Sequence, residues 1–82
     1  MTDAKPDLST IGGRMRHLRA VRRLTQDQVA ERCGVPQTSL SRWERGEADP
    51  AIDVVAKLAA IGSCTLDWLV NGTGPAPSVE AA

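Results

Sequence analysis

Four polar side chains lie within six consecutive positions of the sequence, and each carries a group that suits the edge of a nucleic-acid base. They are Gln37, Thr38, Ser41 and Arg42. A glutamine amide can bond adenine at N6 and N7, an arginine can bond guanine at O6 and N7, and a threonine methyl group can contact thymine. The alternative is that these residues are ordinary solvated polar groups on a helix. Which of these two interpretations applies depends on the secondary-structure elements that position the four side chains.

Two short helices joined by a sharp turn are predicted around these residues. Thr25 can cap the first helix, over residues 26–33, by accepting from its free N–H groups. Gly34 can end that helix, because glycine readily takes the left-handed backbone conformation. The apolar Val35 would then point into the core. Pro36 has a fixed φ and no N–H group, which suits the first turn of the next helix.

The second of these helices would run to Arg45, with Gly46 as its stop. Leu40 and Trp43 are three residues apart, so both fall on one face and point inward. The polar residues at positions 37, 38, 41 and 42 are then left exposed. A helix of this kind fits the major groove of DNA, where side chains near its N-terminal end reach the base edges.

Several motifs occur together in the sequence at fixed spacings. They are Leu24-Thr25-Gln26, then Ala30, Gly34, Val35, Leu40 and Trp43, then Trp43-Glu44-Arg45-Gly46 followed by Pro50, and finally Leu66-Asp67-Trp68-Leu69-Val70-Asn71-Gly72. In this order they resemble the lambda repressor/Cro family, also called the XRE family, over about residues 11–72. The resemblance implies an all-α fold, a compact bundle of five helices with a helix-turn-helix at helices 2 and 3. It also implies a transcriptional regulator that binds double-stranded DNA.

The resemblance assigns DNA contacts residue by residue. Gln37, Thr38 and Arg42 match base-contacting positions of the family, and Ser41 is exposed beside them. Gln26 matches a phosphate contact, and it stands at a helix N-terminus, where N–H groups and the helix dipole favour an anion. Base contacts determine sequence preference, whereas phosphate contacts determine affinity and orientation. The further candidates for phosphate contact are Ser39, Arg45, Arg14 and Arg23.

A partly buried ion pair between Arg19 and Glu44 is also implied by the resemblance, with two ordinary surface charges as the alternative. Arg19 would lie on the inner edge of a first helix that is capped at Ser9 or Thr10 and ends near Arg23. The other arginines of this helix are expected to face outward. They are Arg14, Arg16, Arg22 and Arg23.

Two more helices are predicted after the helix-turn-helix. An apolar stripe indicates a core-facing fourth helix that ends at Gly62, and Thr65 can cap a short fifth helix through Val70. Two copies on a pseudo-palindromic operator would double the DNA contacts, so we expect a homodimer with half-sites about 34 Å apart. The apolar fifth helix is the first choice for the dimer contact, and the alternative is that the core uses its apolar face. The predicted dimer contacts are Leu66, Leu69 and Val70.

A net charge of zero conceals two halves of opposite sign. Residues 14–32 hold six arginines against two acids, a balance of +4, while residues 47–82 hold five acids against one lysine, a balance of −4. Phosphate binding responds to the local field rather than to the total charge. The acidic half nevertheless favours a rival hypothesis, a protein-binding module of the same fold such as an antitoxin or adaptor. The exposed polar residues of the third helix favour DNA.

The length of the chain allows one domain. We expect a flexible N-terminal arm over residues 1–9, the DNA-binding domain over 10–73, and a disordered tail over 74–82 with no second, ligand-binding domain.

Cys33, Cys64 and His17 are too few for a zinc site, so no metal or cofactor is expected. The two cysteines are expected to be buried thiols in the reducing cytoplasm of a bacterial or phage-infected cell. Without a nucleophile–base pair or a long apolar run, neither an enzyme nor a membrane protein is expected.

Overall fold

The computed structural model describes residues 8–77, and this range folds into five α-helices without a strand. The predicted all-α fold is therefore confirmed. The first helix ends at Val21 rather than near Arg23, because Arg23 has a φ of +56° and cannot continue a right-handed helix. The helices are α1 (Ile11–Val21), α2 (Gln26–Cys33), α3 (Gln37–Glu44), α4 (Ile52–Gly62) and α5 (Leu66–Asn71).

Threonine side chains cap three of the five helices. The hydroxyl groups of Thr10 and Thr65 each accept a hydrogen bond at 3.0 Å from the backbone N–H three residues along. At α2, Thr25 accepts from the N–H of Gln28 at 3.1 Å, and the Gln28 side chain accepts from the N–H of Thr25 at 2.8 Å. This reciprocal pair is a capping box. The caps satisfy N–H groups that have no partner inside the helix.

A single apolar core lies between the helices. Leu18, Leu40 and Leu69 are completely buried in it, and the half-buried Trp43 packs against it. Leu69 therefore has no surface to offer a second copy, and its prediction as a dimer contact is wrong. The remaining buried apolar residues are Met15, Val29, Ala30, Cys33, Val54, Val55, Leu58, Ala59 and Trp68.

Arg14 is buried, so the prediction that it faces outward is wrong. Its Nε donates to the carbonyl of Leu69 at 2.8 Å and its Nη2 to the carbonyl of Val70 at 2.8 Å. Its Nη1 donates to the carbonyl of Leu8 at 2.7 Å. Carbonyls in the last turn of a helix lack partners within that helix, and a cation there also suits the helix dipole. Arg14 thus holds the end of α5 against α1 instead of facing a phosphate.

Most of the predicted arm and tail falls outside the described residues, which exclude 1–7 and 78–82. The domain boundaries at 1–9, 10–73 and 74–82 remain predictions. Over residues 8–77, no helix has the length and apolar character needed to cross a membrane.

Candidate nucleic-acid interface

The turn between α2 and α3 is tight and is closed by a backbone hydrogen bond. Gly34 has φ +73° and ψ +32°, the left-handed conformation that other residues adopt only with strain. The N–H of Val35 donates to the carbonyl of Ala30 at 3.0 Å. Ala30 is buried, and its small side chain suits the close approach of the two helices. The turn therefore holds α3 at a fixed angle to α2.

The C-terminal end of α3 lies against α1 at Gly12. A Cβ atom at Gly12 would be 2.6 Å from the carbonyl oxygens of both Trp43 and Glu44. Only glycine fits such an approach without a shift of the backbone. Leu40, near the middle of α3, is completely buried as well. The contact at Gly12 and the burial of Leu40 together fix the position of α3.

The opposite side of α3 carries the residues predicted to contact bases. Thr38 and Arg42 are exposed, and Gln37 and Ser41 are half-buried beside them. Residues four apart on a helix lie one above the other. Thr38 and Arg42 therefore form one row along α3, and Gln37 and Ser41 form the neighbouring row. The half-buried Ser39, predicted as a phosphate contact, is on the same helix. The structure thus brings the predicted base-contacting residues together.

A chain of hydrogen bonds connects the core to Gln37. Arg19 donates to both carboxylate oxygens of Glu44, from Nε at 2.9 Å and from Nη2 at 3.0 Å. The ion pair implied by the resemblance is therefore present, and the Glu44 side chain is only 3% exposed. Gln26 Nε2 donates to Glu44 Oε1 at 2.9 Å, and Gln26 Oε1 accepts from Gln37 Nε2.

This chain of hydrogen bonds, from Glu44 through Gln26 to Gln37, forms a relay that orients the Gln37 amide in a way that suits adenine. Its Nε2 has two hydrogens, of which one goes to Gln26, and the other remains for adenine N7. Its Oε1 can accept from adenine N6. The sequence predicted roles for Gln26 and Gln37 separately. It did not reveal the hydrogen bond between them, because their spacing of 11 residues does not show whether the two side chains touch.

An open cleft lies at the N-terminal end of α2. Its lining includes Arg19, Arg23, Gln26 and Gln37, and also the acidic residue Asp27. Arg23 is exposed, and the first N–H groups of α2 favour an anion. Because Arg19 is paired with Glu44 and Asp27 adds a negative charge, Arg23 and these N–H groups are the features of the cleft that can hold a phosphate group.

A second group of charges lies just beyond α3. Arg45 donates to Glu47 from Nε at 2.9 Å and from Nη2 at 3.2 Å, and its Nη1 donates to the hydroxyl of Ser41. Glu47 Oε1 also lies 3.9 Å from Arg42 Nε. The hydrogen bond from Arg45 lowers the pKa of the Glu47 carboxyl and raises the pKa of Arg45, so both are charged at neutral pH. The position of Glu47 among these arginines was not predicted, since an acid two residues after an arginine is a weak signal.

The cysteines show no sign of metal chemistry in the part of the chain that the structure describes. No group of three or more His, Cys, Asp or Glu side chains there could hold a metal ion. Cys33 is buried as predicted, whereas Cys64 is half-buried. Burial raises the pKa of both thiols, which disfavours the reactive thiolate.

Two short helices joined at a left-handed glycine, the second with an exposed polar face, form a helix-turn-helix, the unit that places a helix in the major groove of DNA. The chain belongs to the XRE family of helix-turn-helix proteins, because a family model described as helix-turn-helix (HTH_3) matches residues 15–69. This is a family of DNA-binding transcription regulators and not of enzymes.

Two curated relatives are transcription regulators. The chain is 32% identical over 74 residues to the HTH-type transcriptional regulator DicA of Escherichia coli (strain K12), covering 87% of this chain and 55% of the relative. It is 34% identical over 59 residues to the HTH-type transcriptional activator BcrR of Enterococcus faecalis, covering 72% of this chain and 29% of the relative. The chain thus spans 55% and 29% of the lengths of these two relatives.

Two solved structures have the same fold. The P22 c2 repressor in complex with a synthetic operator matches with a TM-score of 0.73 at 28% identity, covering 78% of this chain and 97% of that one. The restriction-modification controller protein C.AhdI from Aeromonas hydrophila matches with a TM-score of 0.68 at 28% identity, covering 77% and 96%. The lambda repressor-like architecture is therefore established.

Proposed function

We propose that this chain is a repressor that binds a pseudo-palindromic operator as a homodimer, with α3 of each copy in the major groove. The observation that carries the proposal is the polar side of α3, which bears Gln37, Thr38, Ser41 and Arg42 opposite the buried Leu40. A surface that only packed against a protein would not need this set of base-edge donors and acceptors.

The proposed base contacts follow from the side-chain chemistry. Gln37 would bond adenine through the amide that Gln26 orients, Thr38 would contact a thymine methyl group, and Arg42 would bond guanine. The Ser41 hydroxyl accepts from Arg45, so it remains able to donate to a base.

The proposed phosphate contacts surround this surface. Gln26 and Arg23 line the cleft at the start of α2, Arg45 is exposed at the end of α3, and Ser39 is half-buried on α3. Arg14 is not included, because carbonyl groups of the fold occupy its side chain.

The proposed dimer contact is the exposed apolar side of α5. Leu66 and Val70 are one helical turn apart and remain 45% and 40% exposed. The groove beside Val70 is lined also by Ile11, Asp49, Pro50, Ile52 and Val55, and Ile52 is 74% exposed. A second copy would cover the apolar side chains of α5 and of this groove in an isologous contact.

Repression follows if the operator overlaps a promoter, because a bound dimer then excludes the polymerase. The proposed site of action is the cytoplasm of a bacterial or phage-infected cell, where operator DNA is accessible. The P22 c2 repressor supports the repressor assignment by its name and by its structural similarity.

The test begins with selection of bound duplexes from a random library. The selected operator should be an inverted repeat with half-sites about one helical turn apart. Arg42→Ala should then weaken operator binding by about 1–3 kcal/mol and relax the preference at one base position per half-site. Arg32→Ala is the matched control, because Arg32 is also exposed but lies on α2 outside the proposed surface.

Two results would contradict the proposal. Failure to enrich any sequence would favour the protein-binding module instead. An equal loss of affinity for all duplexes on Arg42→Ala would show that Arg42 contacts phosphate rather than a base. The logarithm of affinity should also fall linearly with the logarithm of salt concentration, even though the net charge of the chain is zero.

A further inference from the structure

Glu47 is an acid placed among the arginines of the proposed DNA-binding surface. Its carboxylate accepts two hydrogen bonds from Arg45, at 2.9 Å and 3.2 Å, and it lies 3.9 Å from Nε of Arg42. All three side chains are more than half exposed. A DNA phosphate can therefore reach the same guanidinium groups and must compete with Glu47 for them.

The two arginines present different atoms to Glu47. Arg42 has its Nε towards the carboxylate, so its two terminal Nη groups stay available for a bidentate bond to guanine. Arg45 gives Nε and Nη2 to Glu47 and Nη1 to Ser41. These bonds use three of the five N–H donors of Arg45. A phosphate that binds the other two lies beside the Glu47 carboxylate, which repels it, whereas a guanine contact by Arg42 uses Nη donors that are not turned towards Glu47.

We propose that Glu47 is a specificity-determining residue, which competes with the phosphates of arbitrary DNA for Arg45 and Arg42 but leaves the guanine contact of Arg42 intact. This inference rests on the proposed function. Non-specific binding is almost entirely phosphate electrostatics, so a competing carboxylate weakens it directly. Competition for Arg45 weakens operator binding as well, because Arg45 is a proposed phosphate contact there, so it cancels from the ratio of the two affinities. Competition for Arg42 does not cancel, because Arg42 binds guanine in the operator but can meet only phosphate on arbitrary DNA. Glu47 therefore increases the ratio of operator affinity to non-specific affinity.

The experiment compares Glu47→Gln with Glu31→Gln. Each variant replaces an exposed glutamate carboxylate with an amide of the same shape and changes the net charge by the same amount. Glu31 lies on α2 outside both proposed contact surfaces and forms no salt bridge among residues 8–77, so it controls for the general effect of charge. Dissociation constants are measured for the selected operator and for a scrambled duplex at one fixed salt concentration.

Glu47→Gln should tighten binding to the scrambled duplex by about twofold to tenfold, the range expected for the loss of exposed ion pairs, and tighten operator binding less. Glu31→Gln should change both affinities by the same factor. The inference is overturned if the two variants leave the same ratio of affinities while the wild-type protein still prefers its operator. A wild-type protein that prefers no sequence would refute the proposed function, and the inference with it.

Discussion

The carboxylate of Glu44 is buried, and its partners explain how the fold tolerates it there. It accepts two hydrogen bonds from Arg19 and one from Gln26. A buried charge is tolerated when it is paired and fully hydrogen-bonded. Because Gln26 also holds Gln37, the same ion pair that stabilises the fold contributes to the orientation of a proposed base-reading residue.

Arg19→Met should lower the free energy of unfolding by about 3–5 kcal/mol, because it leaves the Glu44 carboxylate buried without its main partner. Urea denaturation at neutral pH measures the loss. Arg16→Met is the control, since Arg16 is an exposed arginine on the same helix and its replacement should cost no more than about 0.5 kcal/mol. Equal losses from the two variants would show that the ion pair does not stabilise the fold.

At the scale of the helices, the position of α3 depends on the contact of its C-terminal end with α1. Glycine inside a helix costs about 1 kcal/mol relative to alanine, so Gly12 weakens α1 considered alone. Its presence is explained by the carbonyl oxygens of Trp43 and Glu44, which occupy the space of a side chain. The helix proposed to enter the major groove, α3, is thus positioned from both ends, by the turn at Gly34 and by this close approach.

Gly12→Ala provides a test in which two effects have opposite signs. Helix propensity alone predicts a stability gain of about 1 kcal/mol, whereas a Cβ atom 2.6 Å from two backbone oxygens predicts an overpacking loss of about 1–3 kcal/mol. Because backbone atoms cannot move aside as a flexible side chain can, we expect a net loss, measured by thermal or urea unfolding. Gly62→Ala should cost less, since its Cβ would lie 3.1 Å from the Cβ of Leu18, a longer distance than the 2.6 Å contacts at Gly12. A more stable Gly12→Ala variant would refute the close approach.

For the whole molecule, size explains why the proposed operator binding uses two copies. The greatest extent of the Cα trace is 32 Å. Successive half-sites on one face of B-DNA are about 34 Å apart, so a single copy with one recognition helix cannot reach both. The apolar side chains of α5 that the core does not use, Leu66 and Val70, are available for a symmetric contact.

Leu66→Ser should weaken the proposed dimer about tenfold, because the lost apolar contact occurs twice in an isologous interface. Sedimentation equilibrium of the free protein measures the dissociation constant. Ala60→Ser is the control, since it adds the same hydroxyl group at an exposed position of α4. A dimer that is unaffected by Leu66→Ser would place the contact elsewhere, and a protein that stays monomeric at all concentrations would refute free dimerisation.

The helices, the caps at Thr25 and Thr65, the left-handed turn at Gly34 and the set of polar residues on α3 were all predicted from the sequence. These features depend on residues within about four positions of one another, so local hydrogen bonding and helical periodicity are enough to predict them. The Arg19–Glu44 pair lies 25 residues apart and was predicted only through resemblance to a family.

Which side chains are buried in the core and which stay exposed depends on how the helices pack. Arg14 and Leu69 looked available on their own helices, yet Arg14 bonds a carbonyl 55 residues away and Leu69 is completely buried. The relay from Glu44 through Gln26 to Gln37 likewise exists only where α2 and α3 meet. Burial and pairing of this kind depend on how distant elements pack together, and periodicity along the chain carries no information about that packing.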